Sequence, residues 1–219
     1  VSFHAKMELL REHFKLPFEQ FVTEGVLPRG RCEKIFLTLD DLIVCSRTFI
    51  DKIRPVVASF SYASQLGPLM ENLLANVWPY IRFVIDFNVA QNELRAAKQL
   101  PAVARLLAAK AKEKALDNQT IDGLLIQPVQ RIMRYPMLMQ EILRATPKCN
   151  ADYRSLFEAN SDYTFFIHQV NDRAKLRDKL VSVADRLGDP GLLQPWRYCL
   201  REMKVTANGK HNRALVLCN

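Results

Sequence analysis

Within residues 124–143, LLIQPVQRIMRYPMLMQEIL, the positions Ile126, Gln130, Arg134 and Met137 fall at i, i+4, i+8 and i+11. On a mildly bent helix they share one face. Such side chains can donate and accept hydrogen bonds or make an apolar contact; on their own they do not make or break covalent bonds. The stripe is short, mixed and not laced with charge. On pattern alone, a solvated strip on a core helix is the favoured reading. No catalytic constellation competes with it, because the chain has no P-loop, HExxH, GxSxG or Gly-rich phosphate cradle. No covalent chemistry, cofactor or metal site is therefore expected.

The remaining residues of this stretch must hold the stripe in place. Leu125, Val129, Ile132, Pro136, Met139 and Leu143 alternate at steps of four and three, and Leu124, Tyr135, Leu138 and Ile142 form a neighbouring apolar column. A helix this apolar sits in the middle of a bundle. Pro128 is tolerated best in a first helical turn, which places a break or sharp bend there. Pro136 removes one hydrogen bond inside the later helix and predicts a kink. Arg131 lies about 100° around the helix from Gln130; a structural hydrogen bond inside the bundle is its expected role.

The chain has 219 residues, is 49% hydrophobic and carries a formal charge of +8. That length supports a core, and only seven glycines argue against a turn-rich β fold. The basic balance fits nucleic acid, an anionic membrane, an acidic protein partner or plain solubility. Aromatic residues do not interleave with the positive charge as a stacking platform would need. Cysteines at 32, 45, 149, 199 and 218 are odd in number and widely spaced, with no CxxC. They read as reduced thiols of a cytosolic protein rather than zinc ligands or a disulfide framework. No long apolar run and no secretory opening are present; the missing Met suggests a fragment of a longer protein.

The positioning elements are helical almost throughout. Phe3, Met7, Leu10, Phe14 and Phe18 predict a helix from Val1 to about Val22, bent near Pro17. A second helix is expected from about Arg31 to Lys52, then a connection over 54–68. A long helix from Met70 to about Leu100 should bend near Pro79. Pro101 suits the first turn of a basic, Ala-rich helix. Asn118 and Thr120 are candidate caps ahead of the stretch at 124–143, and Thr146-Pro147 ends it. Asn150 or Asp152 could cap a last helix running to Leu187, where Gly188-Asp189-Pro190-Gly191 breaks it. Arg197–Val205 and Arg213–Cys218 read as strands around Ala207-Asn208-Gly209, a hairpin signal.

Pro128-Val129-Gln130-Arg131-Ile132-x-Arg134-Tyr135-x-x-Leu138-x-x-x-Ile142-Leu143 resembles the third conserved region of the Dbl-homology domain, the exchange module of guanine-nucleotide exchange factors for Rho-type GTPases. Leu9-Leu10-Arg11-Glu12-His13-Phe14-Lys15-Leu16-Pro17-Phe18 resembles the end of that family's first helix. Asn88-Val89-Ala90-Gln91-Asn92 resembles its middle helix, and Val170-Asn171-Asp172 the Ile-Asn-Glu of its last. The resemblance covers roughly residues 1–188. It implies an all-α, elongated multi-helix bundle with a short C-terminal β-hairpin, whose GTPase-binding surface comes from the first helix, the third-region helix and the last helix. It assigns Arg134 and Asn171 to switch II, Gln130 to the GTPase interface, and Ile126 to a variable apolar position that helps select the partner. The expected activity is acceleration of GDP release by stabilising the nucleotide-free GTPase, in cytoskeletal signalling.

The family's first-helix Glu, which contacts switch I, should fall just before Val1, and Glu8 lies two turns too far on to replace it. A Glu encoded there supports exchange. A genuine Ala or Lys there supports the alternative of a non-catalytic Dbl-like scaffold. A third class, a basic membrane- or nucleic-acid-associated helical module, would show steep salt dependence and no GTPase selectivity. Nucleic acid is not the expected partner. Residues 189–219 resemble a linker and the first hairpin of a pleckstrin-homology domain. Lys204, Lys210, His211 and Arg213 gather near its turn, where that resemblance implies a phosphoinositide contact and recruitment of a cytoplasmic protein to the inner face of the plasma membrane. Charged hairpin tips are also common for solubility alone.

Overall fold

The computed structural model describes residues 2–194, 197–207 and 211–218, with the side chains at 190, 202–207 and 211–216 outside that description. Two compact units divide the chain, residues 1–168 and 169–219.

The first unit begins with α1 (Phe3–Leu10), a π-turn (Arg11–Lys15) and α2 (Leu16–Thr23). Ser2 caps α1 by accepting from the Ala5 N–H at 3.3 Å. The disturbance expected at Pro17 takes the form of that π-turn. The Leu16 N–H reaches back to the Arg11 carbonyl, and the wider turn accommodates a proline that lacks its own N–H. Met7, Leu10, Phe14 and Phe18 are buried as their spacing requires, and Phe18 meets Phe36 edge-on at 5.4 Å.

Two expected helices are broken. The segment from Arg31 to Lys52 divides into α3 (Arg29–Phe36) and α4 (Leu39–Ala58). Leu37 between them takes φ 48°, a costly value for a branched side chain. Tertiary contacts hold the break: the buried Thr38 hydroxyl donates to the Pro79 carbonyl at 2.7 Å. Arg31 and Lys34 pair with Glu93 at 2.9 and 3.1 Å, where α3 packs on the helix at Phe87–Ala97. The segment from Met70 to Leu100 likewise divides into α5 (Gly67–Ala75), α6 (Trp78–Ile85) and α7 (Phe87–Ala97). Pro79 sits in the first turn of α6, so the proline opens a helix rather than bending one. Helix α4 also runs into the expected connection, with Pro55 inside its last turn.

Beyond these, α8 (Pro101–Lys110) starts at its proline. Helices α9 (Ile121–Leu125) and α10 (Gln127–Ala145) follow, then α11 (Tyr153–Leu187). On α10, Ile132, Tyr135 and Met139 are buried. Tyr135 packs against Tyr163 and Phe49, with ring centroids 5.7 and 6.2 Å away. Leu138, expected in the second apolar column, is 48% exposed. It stands roughly 100° around the helix from the centre of that buried face, at its edge. Burial raises the Tyr80 and Tyr163 phenols above their ordinary range, with Tyr135 adding to it, so both stay neutral core groups.

One buried carboxylate ties the connection after α4 to the start of α11. Asp152 accepts from the Leu66 N–H at 2.7 Å and the Gly67 N–H at 3.0 Å, and from the Ser155 hydroxyl at 3.0 Å. A Cβ at Gly67 would lie 1.8 Å from Ser155 Oγ and 2.8 Å from the Leu156 nitrogen, so no larger residue fits.

In the second unit, Leu180, Val181, Val183 and Ala184 of α11 are buried. The buried Arg177 guanidinium donates to the carbonyls of Gln194 and Arg197, both at 2.9 Å, and of Leu193 at 3.4 Å. Helix α11 ends at Gly188, φ 64°. There the Gly188 N–H reaches Asp185 O and the Asp189 N–H reaches Ala184 O, a Schellman closure that needs the left-handed residue. Strands β1 (Cys199–Ala207) and β2 (His211–Cys218) pair antiparallel from Ala207↔His211 to Cys199↔Cys218, with an irregularity between Cys199 and Arg201. Among the described residues no helix is long and apolar enough to cross a membrane.

Replacing Asp152 with Ala strips the carboxylate from the Leu66 and Gly67 N–H groups and leaves the Ser155 hydroxyl only the backbone carbonyl of position 152 at 3.3 Å. Chemical denaturation should show a loss of about 3 kcal/mol. A change within experimental error would mean that the connection at 59–66 does not depend on this carboxylate.

Candidate functional site

The polar stripe is positioned by a break in the chain. Thr120 caps α9, its hydroxyl accepting from the Gly123 N–H at 3.1 Å. Ile126 is the joint between α9 and α10, half-buried and close to helical geometry (φ −75°, ψ −16°). Gln127 and Pro128 open α10, so the proline's missing N–H falls where no intrahelical bond would form. Pro136 lies inside α10 as expected.

The start of α10 is tied to α1 by two contacts. The Lys6 ammonium donates to Gln127 Oε1 at 3.1 Å, and Gln127 Nε2 donates to the Gly123 carbonyl at 3.0 Å. One turn later, Arg131 Nε donates to the Tyr135 hydroxyl at 3.2 Å. Its guanidinium lies 4.8 Å from the Tyr135 ring centroid and 5.9 Å from that of Phe3. Phe3 in turn stacks on Tyr80 at 5.9 Å. Arg131 thus has the structural bond its position implies.

Above this seam is an open cleft of about 250 Å³, lined by Ser2, Phe3, Lys6, Gln127, Gln130, Arg131 and Arg134. It contains three cations and no carboxylate. Gln130 and Arg134 are exposed, and neither side chain has a hydrogen bond to the protein among the described residues. The structure therefore brings Gln130 and Arg134 together. Ile126 lies at the joint and does not line the cleft. Met137, further along the stripe, is 66% exposed. Asn171 belongs to the second unit, on α11, half-buried, and its side chain has no hydrogen bond to the protein among the described residues. Lys204 stands opposite Ala214 in the hairpin, Arg213 opposite Val205 and His211 opposite Ala207. The side chains of Lys204, His211 and Arg213, and the whole of Lys210, lie outside the described residues.

Sequence reasoning did not single out Lys6 or Gln127. Their contact spans 121 positions. Nothing in the periodicity of either helix announces it, although Gln127 does stand one turn before Arg131 on the same side of α10.

This arrangement can grip polar and acidic groups; it holds no poised nucleophile or base. The family model for the RhoGEF domain matches residues 1–171. Rho guanine nucleotide exchange factor 17 of Homo sapiens is 24% identical over 176 residues, covering 78% of this chain and 8% of that protein. The Breakpoint cluster region protein of Homo sapiens is 25% identical over 168 residues, covering 74% of this chain and 13% of that protein. The chain therefore spans only a small part of the curated relatives it matches. Among solved structures, the linker-DH/PH domains of p115-RhoGEF align with a TM-score of 0.75 at 16% identity, over 99% of this chain and 70% of that one. The complex of PDZ-RhoGEF DH/PH domains with GTP-γ-S activated RhoA aligns at 0.73 and 15% identity, over 99% and 68%. At these identities the likeness is one of fold.

The two arginines should separate in a stability measurement. Arg131→Lys keeps the charge but loses the planar stack and the Nε bond, and should lower unfolding stability by about 1–2 kcal/mol. Arg134→Ala, on an exposed side chain without protein partners, should stay within about 0.5 kcal/mol of the parent. Equal losses would mean that Arg134 is structural as well.

Proposed function

The chain belongs to the RhoGEF domain family, and we propose that it accelerates GDP release from a Rho-type small GTPase through the surface that carries Gln130 and Arg134. The observation behind this reading is that both side chains stand exposed and unbonded on α10, beside a cleft with three cations and no acid, inside the segment that the family model matches. Some exposed arginines of the first unit pair locally, as in Arg29–Glu33, Arg144–Glu141 and Arg154–Glu158, whereas the side chains of Gln130 and Arg134 keep their donors for a partner.

Exchange of this kind is a binding mechanism. The exchange factor binds the nucleotide-free GTPase more tightly than the nucleotide-bound one, and by linkage the nucleotide is held less tightly in the complex. Arg134 offers a five-donor fork to the GTPase's switch II, and Gln130 offers both a donor and an acceptor. Asn171 supports the same switch, and the half-buried Ile126 contributes to partner choice. In this proposal residues 1–188 are the exchange module. Residues 189–219 open a pleckstrin-homology-like module, in keeping with DH/PH neighbours that cover 99% of the chain. The basic positions Lys204, Lys210, His211 and Arg213 near its turn meet an anionic phosphoinositide surface.

In the full-length protein, Arg134→Ala and Asn171→Ala should each lower kcat/KM for fluorescent-GDP release from a responsive Rho-type GTPase by roughly 10- to 100-fold, the size of an interface hot spot. Far-UV circular dichroism should be unchanged. If neither substitution alters release, the site is misassigned.

A further inference from the structure

We propose that Lys6 is a specificity-determining contact of this surface, which together with Arg134 receives an acidic side chain of the GTPase. The inference rests on the exchange reading above and names the chemistry that the partner must bring to the cleft.

Much of the cationic charge on the first unit is matched by a carboxylate. Glu8 serves His4, Arg11 and Arg47; Asp40 serves Arg11 and Lys15; Glu93 serves Arg31 and Lys34; Asp122 serves Lys98. The cleft between α1 and α10 departs from this pattern. Lys6, Arg131 and Arg134 line it, no carboxylate does, and none of the three has a carboxylate partner among the described residues. Three cations sharing one concave surface repel each other and attract an anion.

The three have different roles. Arg131 is occupied by Tyr135 and Phe3. Arg134 is unheld. Lys6 is held but not neutralised: its ammonium gives one N–H to the amide oxygen of Gln127, and that amide is fixed at its other end by the Gly123 carbonyl. An ammonium has three donors, so two remain for a partner. A neutral amide anchor keeps the charge in full while removing much of the rotamer freedom that an unattached lysine would lose on binding. That is the arrangement expected of a pre-positioned cation at an interface. A carboxylate has two acceptor oxygens and can take donors from two cations at once, and it is the anionic group that the side chains of a protein partner carry. A GTPase with a neutral or basic residue facing Lys6 would be a poor substrate for this chain.

The test uses the full-length protein and a panel of Rho-type GTPases, with kcat/KM for fluorescent-GDP release measured at low and high salt. Lys6→Met should lower kcat/KM about tenfold at low salt, mainly through KM, and should flatten the salt dependence. Lys6→Arg should restore both. Lys6→Glu should be more damaging and should be rescued by a GTPase in which one acidic switch residue is replaced with Lys. Gln127→Leu removes the anchor but not the charge, so its salt dependence should stay that of the parent. If Lys6→Met and Gln127→Leu match in size and in salt dependence, Lys6 is only a strut and the inference is overturned. It is also overturned if the parent exchanges and Lys6→Met is indistinguishable from it. Failure of the parent to act on any member of the panel would instead remove the exchange reading, and this inference with it.

Discussion

An arginine keeps its proton at any working pH, so a half-buried guanidinium must be solvated by the protein around it. Arg131 meets that requirement at the seam of α1 and α10, between the Tyr135 hydroxyl and the faces of Tyr135 and Phe3. The neighbours of those rings extend the constraint. Tyr135 is packed on Tyr163 in the core, and Phe3 stacks on the fully buried Tyr80. One side of α10 is therefore locked in rotation against α1. Gln130 and Arg134, on the neighbouring face, are left outward without being held themselves. Gln127, one turn before Arg131, comes within reach of Lys6 by the same rotation.

Magnitudes indicate why a helix with an internal proline can carry this duty. Pro136 costs about 3 kcal/mol for a lost bond and a clash. Burial of Ile132, Tyr135 and Met139 returns about 2 kcal/mol each, so the packed face outweighs the defect. The cation–π and hydrogen-bond contacts of Arg131 add about 1 kcal/mol each, too little to hold the helix but enough to set its rotation. Pro128 costs almost nothing at the start of α10, and its placement there separates α9 from α10 at Ile126. Hydrophobic burial fixes where the helix lies, and the polar seam fixes which residues it shows.

Where the chain's own chemistry sets a boundary, the sequence shows it. Pro101 opens α8, Thr120 caps α9, Thr146 closes α10 and Gly188 closes α11, each for a reason confined to a few neighbouring residues. The breaks that were illegible depend on distant partners. Leu37 carries no turn signal, and it adopts positive φ while its neighbour Thr38 bonds to Pro79, 41 positions away. Asp152 read as a cap of the last helix, yet the N–H groups its carboxylate binds, at 66 and 67, belong to the start of α5, 85 or more positions away. The candidate site divides in the same way. Gln130 and Arg134 were visible as a stripe because one helix carries both, and the family resemblance gave that stripe a role that its pattern did not. Lys6 and Gln127 were invisible because their pairing exists only once α1 and α10 are packed.

On the exchange reading, the difference between held and unheld polar groups is what matters. A group already satisfied inside the protein, as Arg131 is, gains little from a partner and cannot tell two states of that partner apart. A group left with unused donors on a rigid helix gains most when the partner presents a matching acceptor, and loses that gain when the acceptor moves away. Catalysis of nucleotide release needs such a difference in affinity between GTPase states, since equal affinity for both would shift nothing. The α1–α10 seam supplies both parts: a core-anchored cation that keeps the two helices in register, and beside it polar side chains whose hydrogen-bonding capacity the fold itself leaves unspent.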